Sequence, residues 1–137
     1  MSDCVFCKIV AGQIPATKVH EDADTLAFMD IGQVNPGHVL VALKAHRENL
    51  FALDDAQAAA VFRTAARVAR AVRAAFSPAG MSVYQANGKP AGQTVFHFHL
   101  HLVPRHDDDG MQLTWPVKNP PREKLEDYAA KIRSKLG

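Results

Sequence analysis

Cysteine is nearly absent: the 137 residues hold only Cys4 and Cys7. A disulfide across so short a loop adds little as a fold staple, which excludes a disulfide framework and leaves the pair as a metal or redox unit. Long apolar runs are missing as well. None approaches the roughly 18 residues that a membrane span needs. The opening Met-Ser-Asp-Cys-Val-Phe-Cys-Lys has neither a basic nor a long apolar region, so no signal peptide is expected. A reducing, cytoplasmic location is the resulting expectation. Excess charge is small: 16 Lys plus Arg against 14 Asp plus Glu give a net +2. That is too little to argue, through charge alone, for a nucleic-acid polymer or a membrane surface. The common phosphate-binding glycine motifs are missing too. No Gly-x-Gly-x-x-Gly follows a strand, and Gly88-Lys89 runs into Pro90 without the earlier glycine of a P-loop. No motif implies an organic cofactor.

In bulk the chain is ordinary, with 47% hydrophobic and 22% charged residues. Its length suits a single domain over residues 1–137, burying about two-thirds of its unfolded surface without need of a staple. What it has in quantity is histidine: seven, three of them within five consecutive residues.

Local pattern predicts the elements. Residues 3–10 read as a short helical turn with Asp3 as N-cap, stopped by Gly12 and Pro15. Segments 18–21 and 25–29 read as strands around the polar turn Asp22-Ala23-Asp24. The loop 30–37 is rich in Gly, Asn and Pro, and His38-Val-Leu-Val-Ala-Leu43 suits a buried strand. Residues 54–76 carry the clearest helical signal. Asp54 can cap the start, Ser77-Pro78 and Gly80 stop the chain, and Val61, Phe62, Ala65, Val68, Ala69, Val72 and Phe76 supply an apolar face. Arg63, Arg67, Arg70 and Arg73 form an opposite stripe, whose plainer reading is a solvated face. Strands at 81–87 and 95–103 and a second amphipathic helix at 122–136 complete the pattern. Strands joined by short connections around one long helix point to an α+β fold with an antiparallel five-stranded sheet, a long helix and a C-terminal helix.

Residues 96–102, Phe-His-Phe-His-Leu-His-Leu, alternate at period two. In a strand this sets His97, His99 and His101 on one face and Phe96, Phe98, Leu100 and Leu102 on the other, toward the core. Neighbouring rings on a face stand about 6.5 to 7 Å apart, so one tetrahedral zinc, with nitrogens at about 2.0 Å, cannot easily take all three. Two adjacent members could converge on an ion. A neutral imidazole could instead act as nucleophile, its neighbours holding charge and tautomer.

The His97-x-His99-x-His101-x-x segment resembles the signature of the histidine triad family. The likeness extends through Asp30-Ile31, Asn35-Pro36-Gly37-His38-Val39-Leu40-Val41, Lys44-Ala45-His46, Asn87-Gly88 and Gly92-Gln93-Thr94. Cys4-Val-Phe-Cys7-Lys-Ile-Val10, Trp115 and the helical tail are similar to the Hint-like bacterial branch. The resemblance implies nucleotide binding and cleavage at the α-phosphorus, with His99 as nucleophile, His101 on a phosphate oxygen or the leaving group, and His97 and His38 completing the cluster. It implies that Asp30 accepts from ribose hydroxyls, Ile31 lines the base pocket, Asn87 holds the ribose and phosphate side, Gln93 donates to phosphate, and Thr94 assists the leaving group. Asp30 could alternatively cap a turn, and Asn87-Gly88 is ordinary hairpin chemistry. The same resemblance implies a structural zinc held by Cys4, Cys7, His46 and His97. The implied activity is hydrolysis of purine nucleoside phosphoramidates. The alternatives are a dinucleoside polyphosphate hydrolase and a non-catalytic nucleotide-binding interaction protein. The implied partners are a small nucleotide and a second copy of the chain, the Ala-rich face around Ala58 to Ala66 permitting close helix approach. His20 and His106 are left as surface residues, and Asp107 to Asp109 have no assigned role.

Overall fold

The computed structural model describes residues 3–112 and 114–137. Its helices are α1 (Val5–Val10), α2 (Asp55–Phe76) and α3 (Arg122–Lys135), and its strands are β1 (Lys18–Glu21), β2 (Thr25–Met29), β3 (Val39–Leu43), β4 (Gly80–Tyr84) and β5 (His99–Arg105). The strands form one five-stranded antiparallel sheet in the order β1-β2-β3-β5-β4. The expected α+β architecture is therefore the observed one. Among the described residues, no helix is long and apolar enough to cross a membrane.

Side-chain alternation divides β3 between two cores. Val39, Val41 and Leu43 join Phe98, Leu100 and Leu102 under Val61, Ala65, Val68 and Val72 of α2. Leu40 and Ala42 point the other way, to Phe6 and Ile9 of α1 with Leu26 and Phe28. Each large apolar side chain removed from water here contributes about 1.5–3 kcal/mol. Because Ala42 pairs with His99 and Leu40 with His101, the two histidines share the α1 face of the sheet.

The start of α2 follows its sequence: Asp54 Oδ1 accepts from the Gln57 amide while Gln57 Oε1 accepts from the Asp54 amide, a reciprocal cap. The four arginines form an exposed row, as a solvated face should. Phe62 departs from expectation. It lies about 120° around the helix from Val68 and is half exposed rather than in the core. Phe76 ends the helix against Gly37, where φ is +98° and an added Cβ would stand 2.8 Å from the Phe76 ring. Only glycine satisfies both demands there.

Three other expectations are corrected. The cap of α1 is Cys4, whose Sγ accepts from the Cys7 amide; Asp3 plays no such part. Strand β4 stops at Tyr84, and the chain from Gln85 to Asn87 turns into a loop closed by the Asn87 and Gln85 amides. Strand β5 starts four residues later than expected, at His99, because β3 ends at Leu43 and residues 95–97 have no ladder partner beyond it. Phe98 still bonds to Arg47 and Leu43 through its backbone, but Phe96 is exposed and not in the core. At the far end β5 runs through Pro104. The Pro104 carbonyl accepts from Asn35 Nδ2, so its missing N–H falls on the same side, past the end of β3, where no ladder bond is lost.

Candidate functional site

The imidazoles are arranged so that each ring nitrogen has a defined duty. His99 Nδ1–H donates to the His97 carbonyl at 2.7 Å, which leaves the lone pair of His99 on Nε2. The Val34 amide donates to His38 Nδ1 at 3.2 Å, so the proton of His38 sits on Nε2. That Nε2–H donates in turn to His101 Nδ1 at 2.9 Å, and the proton of His101 is thereby held on Nε2. The rings of His99 and His101 lie 5.1 Å apart between centroids, with Tyr84 of β4 at 5.6 Å from His101 and Phe6 of α1 at 4.9 Å from His99.

Electrostatics keep these rings neutral. Burial pushes the His99 pKa down against the opposing pull of the His97 carbonyl and Asp30. Burial does the same to His38, again opposed by Asp30. His101 is pushed down to about 4, by burial first and then by the neighbouring His99 and His38. Asp30 Oδ2 stands 3.4 Å from His38 Nε2 and 3.8 Å from His101 Nδ1. Since the Val34 amide requires an unprotonated Nδ1 on His38, this contact is a carboxylate facing a neutral imidazole rather than an ion pair. The same bond argues against a metal ion between Asp30, His38 and His101, although their donor atoms converge. A ligating His38 Nε2 would need its proton on Nδ1, where a backbone donor already points.

His97 is separate from this groove. It stands on the α1 face with the other two triad rings, as the alternation predicts, packing on Phe6 at 5.8 Å, but unlike them it is fully buried. Its Nε2–H donates to the Leu43 carbonyl at 2.5 Å, and its Nδ1 faces Cys4 Sγ at 3.3 Å and Cys7 Sγ at 3.5 Å. His46 Nδ1 lies 3.3 Å from Cys7 Sγ. A tetrahedral zinc with sulfur at about 2.3 Å and nitrogen at about 2.0 Å holds neighbouring S and N about 3.5 Å apart, so the donor set fits the ion. The second nitrogen of His97 on a backbone carbonyl is the outer bond that such ligands make. Burial and the adjacent Cys4 push the Cys7 thiol pKa up, and a bound cation would offset the cost of ionising it.

The remaining expected residues fall at different places. Asp30 is half-buried beside the histidine pair, its Oδ1 taken by the Gly32 amide, and Ile31 is fully exposed. Thr94 is exposed. Asn87 uses Oδ1 on the Leu50 amide and Gln85 Nε2, and its Nδ2 on Gln85 Oε1. Gln93 is buried, its Oε1 accepting from Gly88 and its Nε2 donating to the Glu48 and Val95 carbonyls, so it props the glycine loop from behind. Two residues with no motif to mark them also matter. Gln33 closes the loop before His38 with four bonds. Asp109 accepts from Arg105, Asn35 and the amides of His106 and Met111. These roles depend on loop closure in three dimensions and leave no periodic signal.

Fold and site together define a class: a small α+β protein with paired imidazoles on an inner strand of an antiparallel sheet. The chain belongs to the HIT family, residues 11–108 matching the HIT domain model. It is 46% identical over 114 residues to Protein hit of Bacillus subtilis, covering 82% of this chain and 79% of that protein. It is 35% identical over 134 residues to an adenosine 5'-monophosphoramidase of Schizosaccharomyces pombe, covering 97% and 98%. Among solved structures, a HIT family protein of Bacillus anthracis superposes with a TM-score of 0.95 at 42% identity, covering 98% of each chain. A zinc-bound histidine triad family protein of Mycobacterium smegmatis superposes with a TM-score of 0.76 at 35% identity, covering 98% of this chain and 99% of that one.

Proposed function

We propose that the chain, acting as one domain over residues 1–137, is a nucleotide-binding hydrolase that cleaves purine nucleoside phosphoramidates at the α-phosphorus through a nucleotidyl-His99 intermediate. The observation that carries this reading is the bond from His99 Nδ1–H to the His97 carbonyl, which presents a bare Nε2 lone pair on a ring kept neutral by burial. The likeness to a fungal adenosine 5'-monophosphoramidase supports the substrate class. In the first step His99 Nε2 attacks phosphorus and the bond to the leaving nitrogen breaks, that nitrogen taking a proton from solvent as it departs as amine. His101 Nε2–H, held outward by His38, donates a hydrogen bond to the developing negative charge and keeps its proton. In the second step water attacks phosphorus, its proton passes to solvent, the P–Nε2 bond breaks, and nucleoside monophosphate leaves His99 as it began. Asp30 beside the pair accepts from ribose hydroxyls, Ile31 lines the base, Thr94 and Asn87 flank the phosphate side, and Gln93 supports the loop.

Zinc belongs to the same reading, held by Cys4, Cys7, His46 and His97. All four positions are protein ligands, so the ion supplies structure: it ties α1 to the segment whose carbonyl orients His99. The zinc-bound mycobacterial relative supports this assignment. A homodimer in a reducing cytoplasm completes the proposal. Leu125, Tyr128 and Ile132 stand exposed on one side of α3, an apolar surface suited to a second copy. Turnover of adenosine phosphoramidate, guanosine phosphoramidate and diadenosine polyphosphates tests the substrate class. The phosphoramidates should be preferred, and selective cleavage of the dinucleotides or no turnover at all would overturn it. Sedimentation as a monomer at micromolar concentration would remove the dimer.

A further inference from the structure

The loop from Asp30 to His38 carries both the carboxylate and the imidazole that face His101, and it is closed by one side chain. Gln33 Oε1 accepts from the Gly37 and His38 amides at 2.9 and 3.1 Å, while its Nε2 donates to the Asp30 carbonyl and, at 2.7 Å, to the His38 carbonyl. All four bonds available to a planar amide are thus made inward, and two N–H groups against two carbonyls fix which end is oxygen. The closed loop brings the Val34 amide onto His38 Nδ1, the bond that sets the tautomer of His38 and, through it, of His101.

We propose that Gln33 is a positioning residue for the leaving-group side of the site: by holding the loop shut it keeps the proton of His101 on Nε2, aimed at the departing nitrogen. Without that closure the Val34 amide no longer bars a proton from His38 Nδ1. His38 Nε2 then becomes an acceptor, and His101 takes its own proton on Nδ1 to satisfy it. The outward nitrogen of His101 is then a lone pair, repelled by the negative charge that it formerly stabilised. The inference rests on the hydrolase reading for its kinetic part only, since the tautomer of His101 exists with or without substrate.

The test compares Gln33→Ala and Gln33→Glu with the parent. Glu keeps the acceptor for the two amides and loses both donors, and it serves as the milder variant should Ala unsettle the loop. Imidazole 15N shifts of the folded protein report the His101 tautomer directly. The expected result is Nε2–H in the parent and a population with Nδ1–H in the variants. Kinetics then use adenosine phosphoramidates of a strongly basic alkylamine and of a weakly basic arylamine. The variants should lose roughly tenfold in kcat on the alkylamine and much less on the arylamine, with KM unchanged, because a poor leaving group depends more on the donor. A parent with Nδ1–H on His101, variants with an unaltered tautomer, or an equal loss on both substrates would each overturn the proposal. Absence of turnover in the parent would instead overturn the hydrolase reading and leave the tautomer result to decide the role of Gln33.

Discussion

Acidification should destabilise this protein through His101, and the size of the effect follows from its surroundings. Burial, with His99 and His38 alongside, holds the ring at about 4, whereas an unfolded chain exposes it at the usual 6.5. Between those values the unfolded state binds a proton that the folded state refuses. Stability contributed by the neutral ring is therefore complete above about pH 6.5 and is lost as the pH falls toward 4. The interval corresponds to roughly 3 kcal/mol, a large share of the stability of a small domain. His38, buried against the same pair, is displaced in the same direction and steepens the loss. The assay is urea unfolding of the parent and of His101→Gln at intervals from about pH 7.5 to about pH 4. The variant should be less sensitive to acid, with a reduced slope and not a flat line because His38 remains. Acid release of a metal from the cysteine cluster affects both proteins and cancels in the comparison. Equal slopes in the two would show that His101 does not carry the acid sensitivity.

Metal analysis of the purified protein should find near one zinc per chain and essentially none in Cys7→Ser. Chelation should lower the melting temperature of the parent while leaving that of the variant unchanged, and a parent purified without metal and indifferent to chelator would remove the zinc. Asp22 joins the β1–β2 turn to α2: its Oδ1 accepts from the amides of Asp24 and Thr25 and from the Thr25 hydroxyl, and its Oδ2 from Thr64. Burial alone would raise its pKa, but those donors outweigh it and hold the carboxyl well below the usual range. Asp22→Ala should cost about 2 kcal/mol in urea unfolding with kcat unaltered, and a loss under a few tenths would show the network to be idle.

Much of the chemistry was legible because it is written at short range. The period-two run around His99 gave both the strand and the face on which His99 and His101 stand, and Asp54 gave the start of α2. What failed was whatever depends on where a partner strand stops. The alternation of residues 96–102 predicts a continuous strand, but β3 ends at Leu43, so Phe96 turns outward, while His97 keeps to the α1 face beside the cysteines, as the resemblance implied. Phe62 is apolar yet exposed, since composition alone does not fix the centre of a helical stripe. Gln33 and Asp109 were invisible for a different reason. A polar residue in a polar loop looks the same whether its side chain is solvated or closes a ring of backbone bonds.

The central claim is that the bare Nε2 of His99 is the nucleophile. Mixing the protein with an excess of adenosine phosphoramidate, quenching within the first turnover and mapping the covalent nucleotidyl adduct by mass spectrometry tests it most directly. An adenylyl group on His99 is expected, absent in His99→Ala together with hydrolysis. An adduct on another residue, or undiminished hydrolysis by His99→Ala, would contradict it.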